Sequence, residues 1–529
     1  MTNLQHGFQL LREEEIDELN TTARLYRHVQ SGAELLSLSN SDENKVFGVT
    51  FRTPPTDSTG IAHIMEHSVL CGSRKYPVKE PFVELIKGSL KTFLNAFTYP
   101  DKTCYPVASQ NEQDFYNLVD VYLDAVFHPL ITPQHLQQEG WHYEIDPDKE
   151  EVIYKGVVFN EMKGVYSSPE GLLGRYTQQT LFPPDHTYAQ DSGGTPEAIT
   201  DLTYEQFKSF HETFYHPANS RIFFYGDDDV DERLRLLDEY LQEFEAIEVD
   251  SAVTAVALSQ EAKQYTFPYA VDDDTPPAEA THLLEINWLL PELPDMADDL
   301  ALSVLGHVLS GTAGSPLRKA LIESGLGEDM MGGGFSRSLR QPIFSVGMKG
   351  IAAENVDKVE PLILETLANL SETGFDPEAI EAAINTVEFR LREQNTGSFP
   401  RGLAVMLSSL STWLYDDDPL KPLRFEAPLT AVKTAYETNP NYFADLLRDL
   451  VVNNLHRTTV ILEPDTAEAQ RQEANEKARL EQAQAGMTPA ELEEIVRTAE
   501  ALRTHQETPD DPAELAKLPM LTLDDLEKE

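Results

Sequence analysis

The sequence predicts an α/β protein (α+β in arrangement) made of two similar domains, each a sheet with helices packed on it, and then a helical hairpin. Short β-branched and aromatic runs alternate with amphipathic segments over residues 20–250, and the alternation returns over 265–463. From Thr466 the composition changes to mostly Ala, Gln, Glu, Arg, Asn and Lys. We therefore expect domains at 1–250 and 265–463, and a hairpin linker with an extended tail at 464–529.

Local signals place the elements of the first domain. Residues 46–52 are β-branched and aromatic and end before a Pro-Pro pair, which indicates a strand. Candidate N-cap residues at 56–59 precede apolar positions near 3.6 spacing, so a helix is predicted from Ile61 to Leu70. Further expected elements are helices at 79–95, 112–128 and 132–142, a strand near 150–158 that leads into a helix ending at about Tyr166, and a strand at 221–225.

The second domain repeats part of the first. Its predicted elements are strands at 281–290 and 343–349 and helices at 296–309, 376–396 and 428–451. Within 301–321, the segment that begins His307-Val-Leu-Ser-Gly resembles the one that begins His67-Ser-Val-Leu-Cys-Gly, without the other chemistry-bearing residues. This echo predicts a duplicated unit whose second copy, at 265–463, is inactive.

The hairpin has clear boundaries and little core. Leu480 is the one bulky apolar residue in 466–485, and Gly486 stops the first helix. Thr488 and Glu491 form a capping box, with proline at the first helical position, and start a second helix that runs to about His505. Helices with so few apolar residues typically bridge two bodies rather than pack a core.

Composition excludes several classes of function. The chain has 41 Lys+Arg against 90 Asp+Glu, a formal charge of −49, which argues against binding to nucleic acid or to anionic membranes. Cys71 and Cys104 make no disulfide framework, which points to a reducing compartment. No eighteen-residue apolar run and no signal or transit peptide are recognisable, so we expect a cytoplasmic protein.

The strongest chemical signal is His63-Ile-Met-Glu66-His67. On a helix these three polar side chains share one face. Two histidines one turn apart can hold Zn²⁺, and the glutamate between them can act as general base on a metal-bound water. The order inverts that of the commoner zinc-peptidase motif. Composition alone gives this spacing about 0.06 times in a chain of this length.

A catalytic zinc site normally needs a third protein ligand. Glu161 follows the apolar residues 157–159 and so can lie near a core-facing surface. From the residues alone it is preferred only modestly over Glu139 and Glu144.

Several segments together resemble the presequence protease branch of the pitrilysin/insulysin superfamily of zinc metallopeptidases. The resemblance runs from about residue 20 through the hairpin. The residues that carry it are His63-x-x-Glu66-His67 with Leu70-Cys71-Gly72-Ser73, then Leu94-Asn95-Ala96-Phe97-Thr98 with Asp101-Lys102-Thr103, and Phe159-Asn160-Glu161-Met162-Lys163-Gly164-Val165.

The resemblance implies roles for particular residues. It implies that His63, His67 and Glu161 bind zinc, that Glu66 is the catalytic general base, and that Asn95 and Ala96 lie along the substrate backbone. It also implies that the segment around Gly332, Gly333 and Gly334, with the strand at 343–347, holds the substrate's N-terminal end by edge-strand addition.

Members of this branch are about twice as long, and they place an Arg and a Tyr of their last domain at the active site. No residue here matches those two, so we expect this chain to need a second half, from a partner chain or from a missing C-terminal half. The expected function is a zinc metalloendopeptidase, or its catalytic half, that hydrolyses unstructured peptides. The alternative is a non-catalytic peptide-binding or assembly subunit that needs a partner half.

Overall fold

A computed structural model describes residues 4–146, 151–272, 275–276, 281–293 and 295–526. In chain order its strands are β1 (Leu4–Gln5), β2 (Phe8–Ile16), β3 (Thr21–His28), β4 (Glu34–Ser39), β5 (Lys45–Arg52), β6 (Lys91–Leu94), β7 (Phe97–Thr98), β8 (Lys102–Ser109), β9 (His142–Ile145), β10 (Val152–Lys155), β11 (Ser220–Gly226), β12 (Lys263–Ala270), β13 (His282–Leu289), β14 (Asp329–Ser336), β15 (Ile343–Ile351) and β16 (Arg457–Asp465).

Helices fill most of the remaining described chain. They are α1 (Ile61–Val69), α2 (Pro81–Gly88), α3 (Glu112–Phe127), α4 (Pro133–His135), α5 (Val157–Val165), α6 (Pro169–Leu181), α7 (Pro196–Ile199), α8 (Tyr204–Phe214), α9 (Val230–Leu241), α10 (Met296–Ser310), α11 (Pro316–Ser324), α12 (Val356–Thr373), α13 (Pro377–Glu393), α14 (Arg401–Trp413), α15 (Glu426–Thr438), α16 (Tyr442–Leu447), α17 (Glu468–Gly486), α18 (Pro489–Glu507) and α19 (Pro512–Leu515). A π-helical turn, Leu136–Gly140, continues α4.

Two sheets organise the fold. The first has the order β1-β2-β3-β4-β11-β5-β8-β6, with β7 also paired to β8. The second has the order β12-β16-β13-β15-β14, and β9 and β10 form a separate hairpin. Sheets that carry helices on a face are what the sequence predicts, so the predicted α/β class is confirmed.

The second sheet repeats the topology of part of the first. The strand β4 runs parallel to β11, and β11, β5, β8 and β6 then pair antiparallel in succession. The strand β12 likewise runs parallel to β16, and β16, β13, β15 and β14 follow in antiparallel pairs. In the first sheet, the helices α1 and α2 lie between β5 and β6 along the chain. In the second sheet, α10 and α11 lie between the equivalent strands β13 and β14. This equivalence is what an internal duplication produces.

Each sheet packs its own core. In the first, Phe224 of the sheet packs in one apolar cluster with Leu118 of α3. In the second, Ile286 of the sheet packs with Leu305 of α10. The helix α14 belongs to the second segment of the chain, yet its Met406 packs against the first sheet.

Two predicted helices differ in the structure. The helix predicted over 79–95 ends at Gly88, because the following residues form the edge strand β6, in which Leu94 pairs with Val107. The helix predicted over 428–451 is interrupted between α15 and α16. Pro440 lies in this break, and proline both lacks a backbone N–H and disfavours a helical residue before it.

The hairpin α17–α18 packs on the β9–β10 hairpin, and α17 also contacts β12 of the second sheet. Its predicted capping box is present at Thr488. Leu480 and Leu502 are buried, and Lys163 of α5 pairs with Glu476 of α17 at 2.8 Å. Within the described ranges, no helix is both long enough and apolar enough to cross a lipid bilayer.

Candidate metal site

The helix α1 presents three polar side chains on one face. Gly60, with φ of 69°, provides the N-cap, a left-handed conformation that costs glycine little. Ile64 and Met65 are fully buried and anchor the opposite face. His63 and His67 therefore stand one turn apart on the other face, with their ring centroids 4.9 Å apart.

Glu161 approaches the two histidines from the helix α5. Gly156 precedes this helix, and a Cβ there would overlap the Gly140 carbonyl oxygen, so the close approach requires glycine. Val158 and Phe159 are buried and fix the helix, whereas the Glu161 side chain is 47% exposed. The carboxylate is thus held at the protein surface.

The three predicted ligands converge. One Glu161 oxygen, Oε2, lies 3.8 Å from His63 Nε2 and 3.8 Å from His67 Nε2. All three donor atoms lie within 4.8 Å of one another, and in the described part of the chain no other group of three potential ligands does so. Donor atoms about 2.1 Å from a tetrahedral zinc are about 3.4 Å apart. The set therefore fits Zn²⁺ if the three donor atoms move slightly closer together.

The second ring nitrogen of each histidine contacts the protein. His63 Nδ1 lies 3.2 Å from the carbonyl oxygen of Gly193, and His67 Nδ1 lies 3.2 Å from Glu139 Oε2. Both acceptors favour the tautomer with the proton on Nδ1. This leaves each Nε2 lone pair free for a metal, the usual arrangement of metal-binding histidines.

Glu139 lies behind His67 rather than beside the metal position. It is 7% exposed, on the π-helical turn after α4, and Gln138 also donates to it at 2.8 Å. Burial raises the pKa of Glu139, but the hydrogen bonds from His67 and Gln138 hold it below its usual range. Burial lowers the pKa of His67, but the hydrogen bond to Glu139 and the nearby carboxylates raise it above its usual value.

Glu144, the other alternative ligand, faces the hairpin instead. Its carboxylate lies 3.5 Å from Arg503 of α18 and 3.6 Å from His142 Nε2. It takes no part in the cluster formed by the two histidines and Glu161.

Glu66 is placed on the same face of α1 but outside the ligand set. The hydroxyl of Thr98 donates to Glu66 Oε2 at 2.6 Å. This hydrogen bond fixes one carboxylate oxygen and leaves the other available, which suits a group that accepts a proton from water.

The predicted substrate-binding residues lie on sheet edges. Asn95 and Ala96 connect β6 to β7, directly before Thr98, and Asn95 is exposed while Ala96 is 9% exposed. Gly332, Gly333 and Gly334 lie in β14, the edge strand of the second sheet, and are not part of the histidine cluster.

A bulge in β14 explains why residue 332 is a glycine. The pairing register with β15 shifts between Met331 and Gly334. Gly332 has φ of 99°, and a Cβ there would lie 2.7 Å from the Ser345 carbonyl oxygen. A Cβ on Gly333 or Gly334 would meet open space.

The sequence alone does not reveal the supporting roles of Thr98, the Gly193 carbonyl and Glu139. It indicates Glu139 only as a candidate ligand, because spacing along the chain does not show which side of a histidine a carboxylate will approach. Thr98 stands out in the sequence only as part of a resembling segment.

Three family profiles match successive parts of the chain. The profile described as Insulinase (Peptidase family M16) matches residues 51–162, which include all four residues of the histidine–glutamate set. Peptidase M16 inactive domain matches 201–387, and a profile for the segment associated with subfamily C of these peptidases matches 462–529.

Curated relatives match nearly the whole chain. Presequence protease 1, chloroplastic/mitochondrial, from Arabidopsis thaliana is 55% identical over 532 residues, covering 99% of this chain and 49% of the relative. Protein HypA from Clostridium perfringens is 43% identical, covering 100% and 54%, and the mitochondrial presequence protease of Mus musculus is 37% identical, covering 93% and 47%. The chain thus spans about half the length of these relatives.

Solved structures share the fold. A protease from Helicobacter pylori matches with a TM-score of 0.63 at 16% identity, covering 82% of this chain and 98% of that one. Pitrilysin matches with a TM-score of 0.59 at 16% identity, covering 87% and 46%.

Proposed function

Because this chain belongs to the M16 peptidase family, we propose that it is the catalytic half of a zinc endopeptidase that hydrolyses unstructured peptides. The presequence protease relatives and the insulinase profile support a peptidase. The single observation that carries the proposal is the convergence of His63, His67 and Glu161 on one point.

Different residues of the chain bind the metal and transfer the proton. His63, His67 and Glu161 would hold Zn²⁺, which when bound supplies Lewis acidity to the attacking water and to the scissile carbonyl. Glu66 takes the proton from that water as it attacks the carbonyl carbon, and returns the proton to the leaving amine as the C–N bond breaks. Thr98 orients the Glu66 carboxylate through its hydroxyl.

The substrate backbone would lie along exposed strand edges. Asn95 and Ala96 follow the edge strand β6 and precede the strand that carries Thr98, close to Glu66. The edge strand β14, with Gly332–Gly334, offers main-chain groups for β-augmentation by the peptide's N-terminal end. Main-chain recognition tolerates many sequences, which suits unstructured peptides.

The complete enzyme is proposed to use a second half, because the chain spans about half the length of its relatives. The second half would come from more of the same polypeptide, a separate chain or a second copy. The candidate site is open, with Glu161 47% and His67 26% exposed. A second half that covers it would exclude water and complete the oxyanion contacts.

A fluorescence-quenched unstructured peptide tests the proposal. We expect the zinc-loaded chain joined to its second half to cleave the peptide, and the chain alone to cleave it slowly or not at all. Glu66→Gln should reduce kcat by a factor of about 10² to 10⁴ without loss of zinc.

Glu144→Gln, outside the site, is the matched control and should keep wild-type kcat. No cleavage by the zinc-loaded assembly would favour the non-catalytic subunit instead. Normal turnover of Glu66→Gln would overturn the role given to that residue.

A further inference from the structure

One carboxylate, that of Asp191, connects the two helices that carry the candidate ligands. Its Oδ1 accepts hydrogen bonds from the backbone N–H groups of Gly193, at 3.0 Å, and Gly194, at 3.2 Å. Its Oδ2 accepts one from the hydroxyl of Tyr166. The carbonyl oxygen of the same Gly193 contacts His63 Nδ1 at 3.2 Å. A continuous path therefore runs from Tyr166 through Asp191 to His63.

Tyr166 attaches this path to the helix of Glu161. It is the C-cap residue of α5, and its backbone N–H donates to the Met162 carbonyl at 3.0 Å. The guanidinium of Arg175 lies 5.0 Å from the centre of its ring. Burial and the Asp191 carboxylate raise the pKa of Tyr166, so the hydroxyl stays protonated and remains a donor.

Backbone contacts attach the same loop to the start of α1. The N–H of Asp191 donates to Ser58 Oγ at 3.0 Å, and the N–H of Thr195 donates to the Ser58 carbonyl at 2.9 Å. Gly60 and Gly194 then touch: a Cβ on Gly194 would lie 2.7 Å from the Cα of Gly60. Both glycines have positive φ, 69° and 91°. The loop and α1 are therefore in direct backbone contact, with no space between them.

We propose that Asp191 is a positioning residue of the metal site. Its carboxylate fixes the Gly193 carbonyl against His63 and, through Tyr166, fixes α5 relative to α1, so that Glu161 meets the two histidines. The inference rests on the proposed function, because it concerns a metal bound at those ligands. Asp191 itself makes no hydrogen bond to the donor atoms of His63, His67 or Glu161.

The chemistry of the contacts says what removal of the carboxylate would do. Without it, the N–H groups of Gly193 and Gly194 and the hydroxyl of Tyr166 lose their common acceptor. The Gly193–Gly194 peptide then keeps only the bond from the Gly194 N–H to the Asp191 backbone carbonyl, at 3.1 Å, so the Gly193 carbonyl holds the His63 ring less firmly. Supporting contacts of this kind typically change metal affinity by 10- to 100-fold.

The test is a Zn²⁺ titration of the metal-free chain against a chromophoric chelator. We expect Asp191→Ala to bind zinc at least about tenfold more weakly than wild type, and Tyr166→Phe to lose less. Asp191→Asn should recover most of the affinity. Its carbonyl oxygen can accept from both glycines, and its amide can donate to the Tyr166 oxygen.

Thr195→Ala is the matched control. It removes the side-chain cap of α7 in the same loop but leaves every Asp191 hydrogen bond in place. We expect wild-type zinc affinity from it. At saturating Co²⁺, the visible absorption bands should be altered in Asp191→Ala and unchanged in Thr195→Ala, since they report ligand geometry rather than stability.

Wild-type affinity and Co²⁺ bands in Asp191→Ala would overturn the inference, as would an equal loss in Thr195→Ala. A wild-type chain that binds no zinc would instead contradict the proposed function. The two failures are thus distinguishable.

Discussion

Each of the two histidines uses one ring nitrogen for the protein and leaves the other for a ligand. The acceptors differ: His63 contacts a neutral carbonyl, whereas His67 contacts the buried carboxylate of Glu139. A carboxylate makes the imidazole a stronger donor to a metal and holds its orientation more firmly. The metal affinity of His67 should therefore depend more on Glu139 than that of His63 depends on the Gly193 carbonyl.

Glu139→Gln tests this dependence. The variant keeps the shape of the side chain but replaces the charge, so we expect zinc affinity to fall by about 10- to 100-fold while the fold is retained. A competition titration with a chelator measures it. Glu144→Gln is the control, with its carboxylate against Arg503 rather than His67, and should bind zinc like wild type. Equal affinities in both variants would contradict the supporting role of Glu139.

At this scale the sequence predicted more of the ligands than of their surroundings. Helical spacing alone predicted that His63, Glu66 and His67 share one face, and in the structure they do lie on one face of α1. Glu161, by contrast, is 94 residues after His67, and the residues alone favoured it only modestly over Glu139. The family resemblance made the choice. The distance between helices depends on packing across the core, which local spacing does not encode.

Among the elements, α14 shows how packing departs from chain order. It follows α13 of the second segment, yet Leu403, Met406 and Leu410 bury their side chains against the first sheet. Met406 lies so close to β5 that a Cβ on Gly48 would overlap its sulfur. An amphipathic helix shows which face is apolar but not which sheet that face will cover, so the sequence could not predict this contact.

Met406→Ala should therefore destabilise the protein. Met406 is 1% exposed, and truncation of such a side chain costs about 2–5 kcal/mol through lost burial and the cavity left behind. The free energy of unfolding from urea denaturation measures the effect. Phe389→Ala on α13, where the side chain is 63% exposed, is the control and should change stability by about 0.5 kcal/mol or less. Similar losses in the two variants would disprove the packing role of α14.

The helix α6 connects the site to the second sheet, and a buried acid lies at this contact. Thr177 of α6 donates to Glu285 Oε2 at 3.1 Å, and Glu285 is 8% exposed. Burial raises the pKa of Glu285, although hydrogen bonds from Thr177 and Asn287 act against the rise. The folded state thus holds the proton more strongly than the unfolded state does.

The sign of the pH effect follows from that difference. As pH rises above about 4.3, the unfolded state loses this proton first, so the free energy of unfolding falls with pH. The fall stops once the pH exceeds the folded-state pKa of Glu285, and the lost stability is not regained. Glu285→Gln removes this loss. The free energy of unfolding of the variant minus that of wild type should therefore rise with pH and then level off.

Urea denaturation from pH 4.5 to 8 measures this difference in the free energy of unfolding. Glu323→Gln is the control, because the Glu323 side chain is 66% exposed. A difference that is the same at every pH for Glu285→Gln would refute the assignment.

In the whole molecule, two parts of the chain share one sheet topology, and one of them has the candidate chemistry. The order and direction of the strands β12-β16-β13-β15-β14 repeat those of β4-β11-β5-β8-β6. In the second copy, α10 takes the place of α1 and carries His307, but in the described residues no group of potential ligands gathers around it. The short echo at His307 lies on α10, which occupies the position of α1 in the repeated strand topology.

The same topology accounts for the proposed substrate path. The strand β6 and the strand β14 are equivalent edges of the two copies, and the predicted substrate-binding residues lie at both. The sequence did not predict most of the first sheet, including β1–β4. The strands β1–β4 pair with their neighbours along the chain, and the long-range pairing of β4 with β11 joins them to the rest of the sheet. Strand formation depends on such partners more than on local preference.

The central claim is that His63, His67 and Glu161 form one zinc site served by Glu66. The most direct measurement is the zinc stoichiometry of the metal-free chain after titration and removal of excess metal, compared among wild type, Glu66→Gln and Glu161→Gln. We predict one zinc per chain for wild type and for Glu66→Gln, and no stoichiometric zinc for Glu161→Gln, with binding weakening at acid pH as the histidines protonate. A wild-type chain without zinc, or a Glu161→Gln chain that retains a full equivalent, would contradict the account.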